Sequence, residues 1–374
     1  MLNKLLEIKN ALNQKYFERE DEIEGVLIAL LSRQHVLLIG EPGTGKSLLS
    51  MELSKIIDGS RYFQWLLTKY TTPEELFGAL SLKELENGVH VRNTNKKLPE
   101  SHFVFLDEIF KSNSAILNSL LTLINERLFY NNGAPAKSPL ISMIGASNEY
   151  PEDDEGLEAL FDRLLLRYEV ESVKDRGNFI AMLKNNGQNV NIPSLTLNEL
   201  TDLQFYSDMT IVPDHIYERI VDLCQDLEDE GIRPSARRVK SSINAIKAKA
   251  FMDNRNQVEE KDMLILQHIM WNNIEEKEKA TKIVKNYAQD IVSKTLDRIK
   301  VESKDMIASM KKDNRSNPYD QTREVGHKLK NLANELEQLK NKYPDRTNEI
   351  NFVLEDISKK QQSMVDEILL PINN

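Results

Sequence analysis

The segment GEPGTGKSLL, residues 40–49, decides how the N-terminal part of this chain folds. It follows the apolar run HVLLI and precedes MELSKII. The first run is short and rich in branched residues, which is typical of a strand buried on both faces. Leu49, Leu53 and Ile56 share one helical stripe, so we predict a helix from Lys46 to Ile57. The glycines therefore fall between a strand and a helix.

A turn of this composition predicts an anion site. Its glycines let several backbone N–H groups converge beside the positive end of the helix dipole. The pattern G-x-x-x-x-G-K-[ST] is complete, so Lys46 can reach the outer phosphates of a nucleotide and Ser47 can complete a Mg²⁺ shell. The alternative is a glycine-rich turn with a chance lysine. The residues predicted to bind the nucleotide are Gly40, Glu41, Pro42, Gly43, Thr44, Gly45, Lys46, Ser47 and Leu48.

Composition excludes several classes of protein. The 374 residues include 49 Lys and Arg against 59 Asp and Glu, a net charge of −10, so the chain does not coat nucleic acid, although a local basic groove stays open. Cys224 is the only cysteine, which excludes an internal disulfide and suggests a helix core position. No apolar stretch approaches the roughly 20 residues that cross a bilayer. We expect a cytoplasmic protein without membrane insertion.

Strand-like runs alternate with helical runs up to about residue 172. They are HVLLIG, FQWLL, FVFLDE, LISMIGASN and LLRYEV. This alternation predicts an α/β fold, with a parallel sheet covered by helices on both faces. Apolar spacing is helical from about 175 to 275, and beyond Trp271 the composition indicates an elongated helical region.

The second motif is HFVFLDEIF, residues 102–110. Its apolar residues lead into Asp107 and Glu108, so a buried strand delivers two carboxylates to the edge where open α/β sheets bind ligands. We predict that Asp107 holds Mg²⁺ through its water shell and that Glu108 polarises a water against the γ-phosphate. The alternative is a strand that ends in an exposed acidic turn.

Further polar residues follow in an informative order. The strand LISMIGASN ends in Asn148, an amide suited to orienting the attacking water. Arg163 lies near the end of the next helix and Arg167 opens the last strand, while Arg237 and Arg238 begin a later amphipathic helix. An arginine that stabilises charge on the γ-phosphate can come from another subunit. Each arginine taken singly also fits a solvated or ion-paired surface position.

Together these motifs resemble a known family. The order GEPGTGKS, FVFLDE, GASN, FDR and PSAR is similar to that of the MoxR group of AAA+ ATPases, and SAILNSLLTLINERLF and ASNEYPEDDEGLEALFDRLLLR resemble its RavA-type branch. The resemblance spans roughly residues 10–273. It implies an AAA+ P-loop NTPase domain over residues 1–192, an all-α lid over 193–278, and ATP and Mg²⁺ as cofactors.

The resemblance also implies a role for each polar residue of these motifs. The catalytic residues are Glu108, Asn148 as sensor 1, Arg163 as the arginine finger and Arg237 as the sensor 2 arginine, with Arg238 a less favoured substitute; the metal residues are Ser47 and Asp107. Lys46, Ser47, Asp107 and Glu108 would assemble half of a site that Arg163 of a neighbouring subunit completes. A lid that carries Arg237 would report the loss of the phosphate by moving.

Two further stretches predict hairpins. LSLKELENGVHVRNTNKKLP alternates polar and apolar residues around Asn87-Gly88, a strong hairpin signal. RLFYNNGAPAKSPLISM is similar to the hairpin that precedes sensor 1 in the family. In related rings such hairpins can face the central pore, so both are candidates for substrate contact. Ordinary surface hairpins are an equally good interpretation.

The chain departs from the family pattern at two points. The resemblance to RavA-type proteins predicts a small β-rich domain within the C-terminal helices, but only KKDNRSNPYDQ stands at that position. No von Willebrand A-type domain, the usual companion of MoxR ATPases, follows the lid. We therefore expect such a partner to be a separate protein.

The C-terminal region, residues 279–374, shows apolar stripes with spacings of four and three. The stripes are Val325, Leu329, Leu332, Leu336 and Leu339; Ile350, Val353, Ile357, Met364 and Ile368; and Val284, Tyr287, Ile291 and Ile299. Pro344 is predicted to end the middle helix. We predict a helical hairpin or three-helix arm that contacts the partner, so that truncation after about residue 278 leaves ATP hydrolysis intact.

These inferences predict a ring-forming AAA+ ATPase, which we expect to be a homohexamer, that uses MgATP hydrolysis to remodel or activate a protein partner. One alternative is a nucleic-acid motor of a related clade, for which Arg92, Lys96 and Lys97 offer only a thin positive track. The other alternative is a nucleotide-dependent switch that hydrolyses slowly.

Overall fold

Strand β1 (Val36–Ile39) is buried along its whole length and lies inside a parallel sheet. Its residue Val36 faces Ile144 on one side and Leu166 on the other. We describe the chain from a computed structural model, over residues 1–151, 157–184, 190–289, 291–312, 318–343 and 346–369. The chain divides into two compact units, Met1–Ala288 and Gln289–Asn374.

The strands of the first unit are β1, β2 (Ile57–Asp58), β3 (Tyr62–Leu66), β4 (Phe103–Asp107), β5 (Leu128–Asn131), β6 (Ala134–Lys137), β7 (Ser142–Ser147), β8 (Leu166–Glu169) and β9 (Leu195–Thr196). Within the described residues, the main sheet has the order β3-β4-β7-β1-β8, with every neighbouring pair parallel. These are the strands that the apolar runs predicted. The α/β fold with a parallel sheet is therefore confirmed.

The helices of the first unit are α1 (Leu2–Lys15), α2 (Glu20–Ser32), α3 (Lys46–Lys55), α4 (Pro73–Phe77), α5 (Leu82–Leu85), α6 (Ser114–Glu126), α7 (Glu158–Arg163), α8 (Arg176–Lys184), α9 (Leu197–Asp208), α10 (Asp214–Asp229), α11 (Ala236–Met252) and α12 (Ile274–Ala288). Short 3₁₀ helices span Leu98–Glu100, Ile109–Lys111 and Glu260–His268. Helix α3 ends two residues before the predicted end, because Ile57 pairs with Leu195 in the short β2–β9 ladder.

One of the two predicted hairpins is confirmed. Strands β5 and β6 pair antiparallel around Asn132 and Gly133, both of which have positive φ, as a tight two-residue turn requires. The hairpin predicted around Asn87-Gly88 is wrong. Ser81 caps helix α5 there by accepting a hydrogen bond from the Glu84 backbone N–H, and this local cap replaces strand pairing except at one bridge, Leu80–Arg92.

Helices α9 to α11 form an all-α part of the first unit, as predicted. Helix α12 continues this part, although most of its residues were predicted to belong to the C-terminal region. Cys224 of α10 packs against the hydrophobic core, and burial raises the pKa of its thiol. Trp271 is also buried in this core. The sequence predicts three domains, whereas the structure divides into two units, so the boundaries of the three domains stay a prediction. In the described part of the chain, no helix combines the length and the apolar character that crossing a bilayer requires.

The second unit contains α13 (Ile291–Lys312), α14 (Pro318–Lys342) and α15 (Thr347–Leu369). Their buried residues form one core: Val292, Leu296, Ile299, Val325, Leu329, Leu332, Leu336, Ile350, Val353 and Ile357. The helical C-terminal region is thus confirmed, with a three-helix core. The third stripe starts later than predicted, because Val284 and Tyr287 pack in the first unit. Pro344 and the side chains of Met364 and Ile368 lie outside the described residues.

Candidate active site

The predicted phosphate loop lines a cavity of about 300 Å³. Its lining is Pro42, Gly43, Thr44, Gly45, Lys46, Ser47, Leu48, Asp107, Glu108 and Asn148. Gly43 and Gly45 have φ of 85° and 90°, which only glycine adopts without strain. Most of the predicted nucleotide-binding residues therefore meet in one concavity. Gly40 and Glu41 lie behind it and present their carbonyl groups to Lys46.

Lys46 is buried at the start of α3 and makes three hydrogen bonds. Its Nζ donates to the carbonyl oxygens of Gly40 at 2.6 Å and Glu41 at 3.0 Å, and to Asn148 Oδ1 at 3.0 Å. Burial lowers the pKa of Lys46, and the nearby carboxylates of Asp107 and Glu108 oppose this effect. The ammonium is thus a fixed cation beside two carboxylates, placed to bind anionic phosphate oxygens.

Strand β4 delivers Asp107 and Glu108 to the same cavity. Ser47 Oγ lies 3.5 Å from Asp107 Oδ2, so the two predicted metal residues are neighbours. Glu108 follows the strand with φ of 53°, a left-handed conformation that is uncommon outside glycine. Such a conformation is typical of functional sites, where the surrounding structure imposes it. It turns the chain sharply and starts the 3₁₀ helix Ile109–Lys111.

Asn148 connects the cation to the predicted catalytic carboxylate. Its Nδ2 donates to Glu108 Oε1 at 2.5 Å, while its Oδ1 accepts from Lys46. The other Glu108 oxygen, Oε2, lies 3.3 Å from Lys111 Nζ. Sequence reasoning missed Lys111, although its position three residues after Glu108 was a usable signal because one 3₁₀ turn brings such residues together.

The residues present fit Mg²⁺ bound mainly through water and phosphate. Ser47 and Asp107 supply a hydroxyl and a carboxylate, which are oxygen ligands of the kind Mg²⁺ takes from proteins. Among the described residues, no group of three or more His, Cys, Asp or Glu could form an all-protein metal site. Bound at this place, Mg²⁺ would neutralise developing phosphate charge.

Arg19 also supports the phosphate loop, a role that sequence reasoning missed. The residue precedes α2 and is 7% exposed. Its Nη2 donates to the Thr44 carbonyl oxygen at 3.1 Å and to the Glu171 carbonyl oxygen at 2.5 Å. The guanidinium therefore ties the loop to the chain that follows β8. No residue pattern encodes a contact with backbone carbonyl groups, so only the folded chain shows it.

The predicted finger and lid arginines lie outside the described lining of this cavity. Arg163 ends helix α7, and its Nη1 donates to the Ala159 carbonyl oxygen at 2.5 Å. Burial lowers the pKa of Arg163, the positive charge of Arg237 lowers it further, and the carboxylate of Asp162 opposes both effects. Arg237 is exposed at the start of α11.

Arg238 and Arg167 are interior residues. Arg238 is 2% exposed, and its Nη2 pairs with Asp162 Oδ1 at 2.9 Å. Arg167 is fully buried, stacks on Phe161 at 3.8 Å and donates to the Trp271 carbonyl oxygen. Both guanidinium groups are thus engaged within the fold. Of the predicted lid arginines, the exposed Arg237 is the one accessible to a ligand.

Comparison with known proteins agrees with these motifs. Residues 3–204 match the family described as the MoxR domain in the MoxR-vWA-beta-propeller ternary systems, and residues 215–284 match an AAA lid domain. An uncharacterized protein of Methanocaldococcus jannaschii is 34% identical over 99% of this chain and 95% of its own length. The chaperone MoxR1 of Mycobacterium tuberculosis is 27% identical over 40% of this chain and 39% of its own.

A solved structure shares the fold. The crystal structure of a candidate ATPase from Cytophaga hutchinsonii has a TM-score of 0.63 and 19% identity, over 76% of this chain and 93% of that one. At this identity the likeness concerns the fold alone. The family matches carry the assignment, because the MoxR match spans more than half of the chain and the lid match continues from it. The chain belongs to the MoxR group of AAA+ ATPases.

Proposed function

We propose that this protein is a MgATP hydrolase that assembles into a ring, a homohexamer, and uses hydrolysis to remodel or activate a protein partner. One observation carries the proposal: Lys46, Asn148 and Glu108 form a continuous hydrogen-bonded chain inside the phosphate-loop cavity. A cation, an amide and a carboxylate in this order can bind the outer phosphate, orient a water and polarise it.

Each residue has a defined task in this mechanism. The loop N–H groups and Lys46 would hold the phosphates, while Ser47 and Asp107 would hold Mg²⁺. Asn148 and Glu108 share one hydrogen bond, so the amide sets the direction of the carboxylate that takes the proton from water. Charge then builds on the phosphate and needs a further cation.

We assign that cation to Arg163 of a neighbouring chain. Within its own chain the guanidinium bonds to helix α7 and lies outside the described cavity lining. An arginine supplied in trans makes hydrolysis depend on assembly. Arg237, on the lid, is the proposed sensor 2 residue, because Arg238 is held in a buried ion pair.

The proposed partner is a separate protein with a von Willebrand A-type domain. The family that matches residues 3–204 is described as part of MoxR-vWA-beta-propeller ternary systems, which supports this class of partner. The three-helix C-terminal unit is the proposed contact surface. The closer likeness to the RavA-type branch rests on the quoted motifs and stays a prediction.

A nucleic-acid motor is less well supported. Of the thin basic track, Arg92 pairs with Glu74 at 3.0 Å, and Lys97 donates to the Glu75 carbonyl oxygen at 2.8 Å. These two charges are therefore engaged within the chain, and this reduces their availability to phosphates of a strand. Measurement of the rate of ATP turnover would distinguish a slow nucleotide-dependent switch from an ATPase that remodels a partner.

A mixing experiment tests the proposed assembly. A chain with Arg163→Ala keeps a sound phosphate loop, and a chain with Lys46→Ala keeps a sound finger. Each should be inactive alone, and a mixture should recover part of the ATPase activity because some interfaces pair both sound halves. A mixture that exchanges subunits, shown by fluorescence energy transfer, yet recovers no activity would refute the trans arrangement.

A further inference from the structure

Asp162, the residue before Arg163, joins helix α7 to the start of lid helix α11. Its Oδ1 accepts a hydrogen bond from Ser235 Oγ at 2.9 Å and pairs with Arg238 Nη2 at 2.9 Å. Ser235 is the N-cap of α11, since its Oγ accepts from the Arg238 backbone N–H at 3.2 Å. One carboxylate oxygen therefore contacts two side chains at the start of the lid helix.

Arg238 is also held by residues other than Asp162. Arg238 Nη1 donates to the Trp271 carbonyl oxygen and to Asn272 Oδ1, both at 2.9 Å. The Arg238 side chain is 1% exposed, whereas that of Asp162 is 25% exposed. A buried guanidinium that loses its carboxylate partner is costly, so this pair resists separation. Asp162 is thus held from the lid side, and it holds α7 in turn.

The backbone on either side of Arg163 is held by Arg167, whose Nη2 and Nε donate to the carbonyl oxygens of Phe161 and Leu164 at 2.8 Å and 3.2 Å. Helix α7 itself is short. It contains six residues, so helical hydrogen bonds alone define its end weakly. Arg163 makes its side-chain bond within that helix, to Ala159, and its Nε is a buried donor without a partner. In addition to these backbone bonds, the Asp162 side chain joins the position beside Arg163 to the start of the lid helix.

We infer that Asp162 is a positioning residue for Arg163. By anchoring α7 on Ser235 and Arg238, it fixes the position of the guanidinium group that Arg163 presents to a neighbouring chain. This inference rests on the proposed trans arrangement. It differs from a purely structural role, because it assigns the larger effect of Asp162 to the chain that donates the finger and the smaller effect to the chain that holds ATP.

The experiment places Asp162→Asn on one chain of the complementing mixture at a time. On the finger-donating Lys46→Ala chain, the substitution should lower the recovered ATPase activity by at least about tenfold, since displacement of a catalytic group by about 1 Å has effects of this order or larger. On the Arg163→Ala chain, whose finger is already absent, the loss of recovered activity should be smaller, because only the contact of Asp162 with its own lid helix is affected there. Ser235→Ala on the finger-donating chain should give a smaller loss.

A matched control separates positioning from stability. Asp262 is another buried carboxylate. It is fully covered, pairs with Arg255 Nη2 at 2.5 Å and accepts a hydrogen bond from the Glu259 backbone N–H at 2.8 Å, both outside α7. Asp262→Asn on the finger-donating chain should lower the melting temperature but leave the recovered activity unchanged.

Four outcomes would contradict this reasoning. Equal loss with Asp162→Asn on either chain, or no loss on the finger-donating chain, overturns the positioning role while leaving the trans arrangement in place. An equal loss with Asp262→Asn also overturns it, because the effect would follow stability. Absence of recovery in the parent mixture refutes the trans arrangement itself, and the positioning role falls with it.

Discussion

Replacement of Glu108 by glutamine tests the chemistry most directly. Glu108 Oε1 accepts a hydrogen bond from Asn148 Nδ2 at 2.5 Å, and Oε2 lies 3.3 Å from Lys111 Nζ. Glutamine has the same shape and keeps one acceptor oxygen for Asn148. It loses the negative charge, so it can neither pair with Lys111 nor take a proton from water. The change removes the base with little effect on the shape of the cavity.

The magnitude follows from the role of the carboxylate. A positioned general base contributes about 10²–10⁴-fold to a rate, so hydrolysis should fall at least about 100-fold, which is about 2.7 kcal/mol in activation free energy. ATP binding should persist, because Lys46 and the loop glycines are untouched. Lys46→Ala should behave in the opposite way and lose ATP binding, since it removes the cation that holds the outer phosphates.

Two measurements on each variant separate these effects. Release of inorganic phosphate reports hydrolysis, and the fluorescence of a labelled ATP analogue reports binding. Glu126→Gln, on the exposed last residue of α6, is the charge-matched control and should leave both unchanged. A Glu108→Gln protein that binds ATP and hydrolyses it at the normal rate would refute the assignment of Glu108 as the base.

Three further predictions concern the stability of the first unit and the role of the C-terminal helices. Gly40→Ala would place a Cβ 2.2 Å from the Val170 carbonyl oxygen, so it should cost about 1–3 kcal/mol of unfolding free energy in urea, whereas Gly326→Ala meets open space and should not destabilise. Burial raises the pKa of Glu22 to about 7, so its ionisation destabilises the fold as pH rises from about 4.5 through 7. Glu22→Gln should therefore gain up to about 3 kcal/mol relative to the parent chain at pH 8 and nothing near pH 4, and a pH-independent difference would contradict this. Truncation after Ala288 should keep ATP hydrolysis and lose binding of a von Willebrand A-type partner, while a cut ten residues earlier removes most of α12, whose Ala280 and Val284 are buried, and should lower the melting temperature.

Local signals explain why so much of the site was predictable. The phosphate loop and the carboxylates after β4 are encoded within a few residues, and parallel strands bring such edges together in any open sheet. Periodicity likewise predicted the stripe of α14, because Leu329 and Leu336 need only one helix to share a face. The hairpin at Asn87-Gly88 failed for a local reason as well, since Ser81 and Glu84 favour a helix cap over a strand.

Contacts with backbone carbonyl groups, and pairs distant in sequence, were not predictable. Arg19 acts on Thr44 and Glu171 through their carbonyl oxygens, which every residue possesses. Asp162 and Arg238 are common residue types, and nothing in either segment indicates the other. Periodicity also could not predict where the first unit ends, because the stripe of α12 continues in character into α13.

The positions of Arg163 and Asp162 have a consequence for how sites in a ring would influence one another. The proposed finger serves a neighbouring site, yet Asp162 ties its helix to the start of α11, the lid helix that carries Arg237. Nucleotide binding that shifts α11 would then also shift the finger offered to the neighbour. Coupling between sites is reciprocal in free energy, so a neighbour that engages Arg163 would change the ATP affinity of the donating chain by the same factor. Under this proposal one carboxylate, at the junction of α7 and α11, connects two consecutive active sites of the ring.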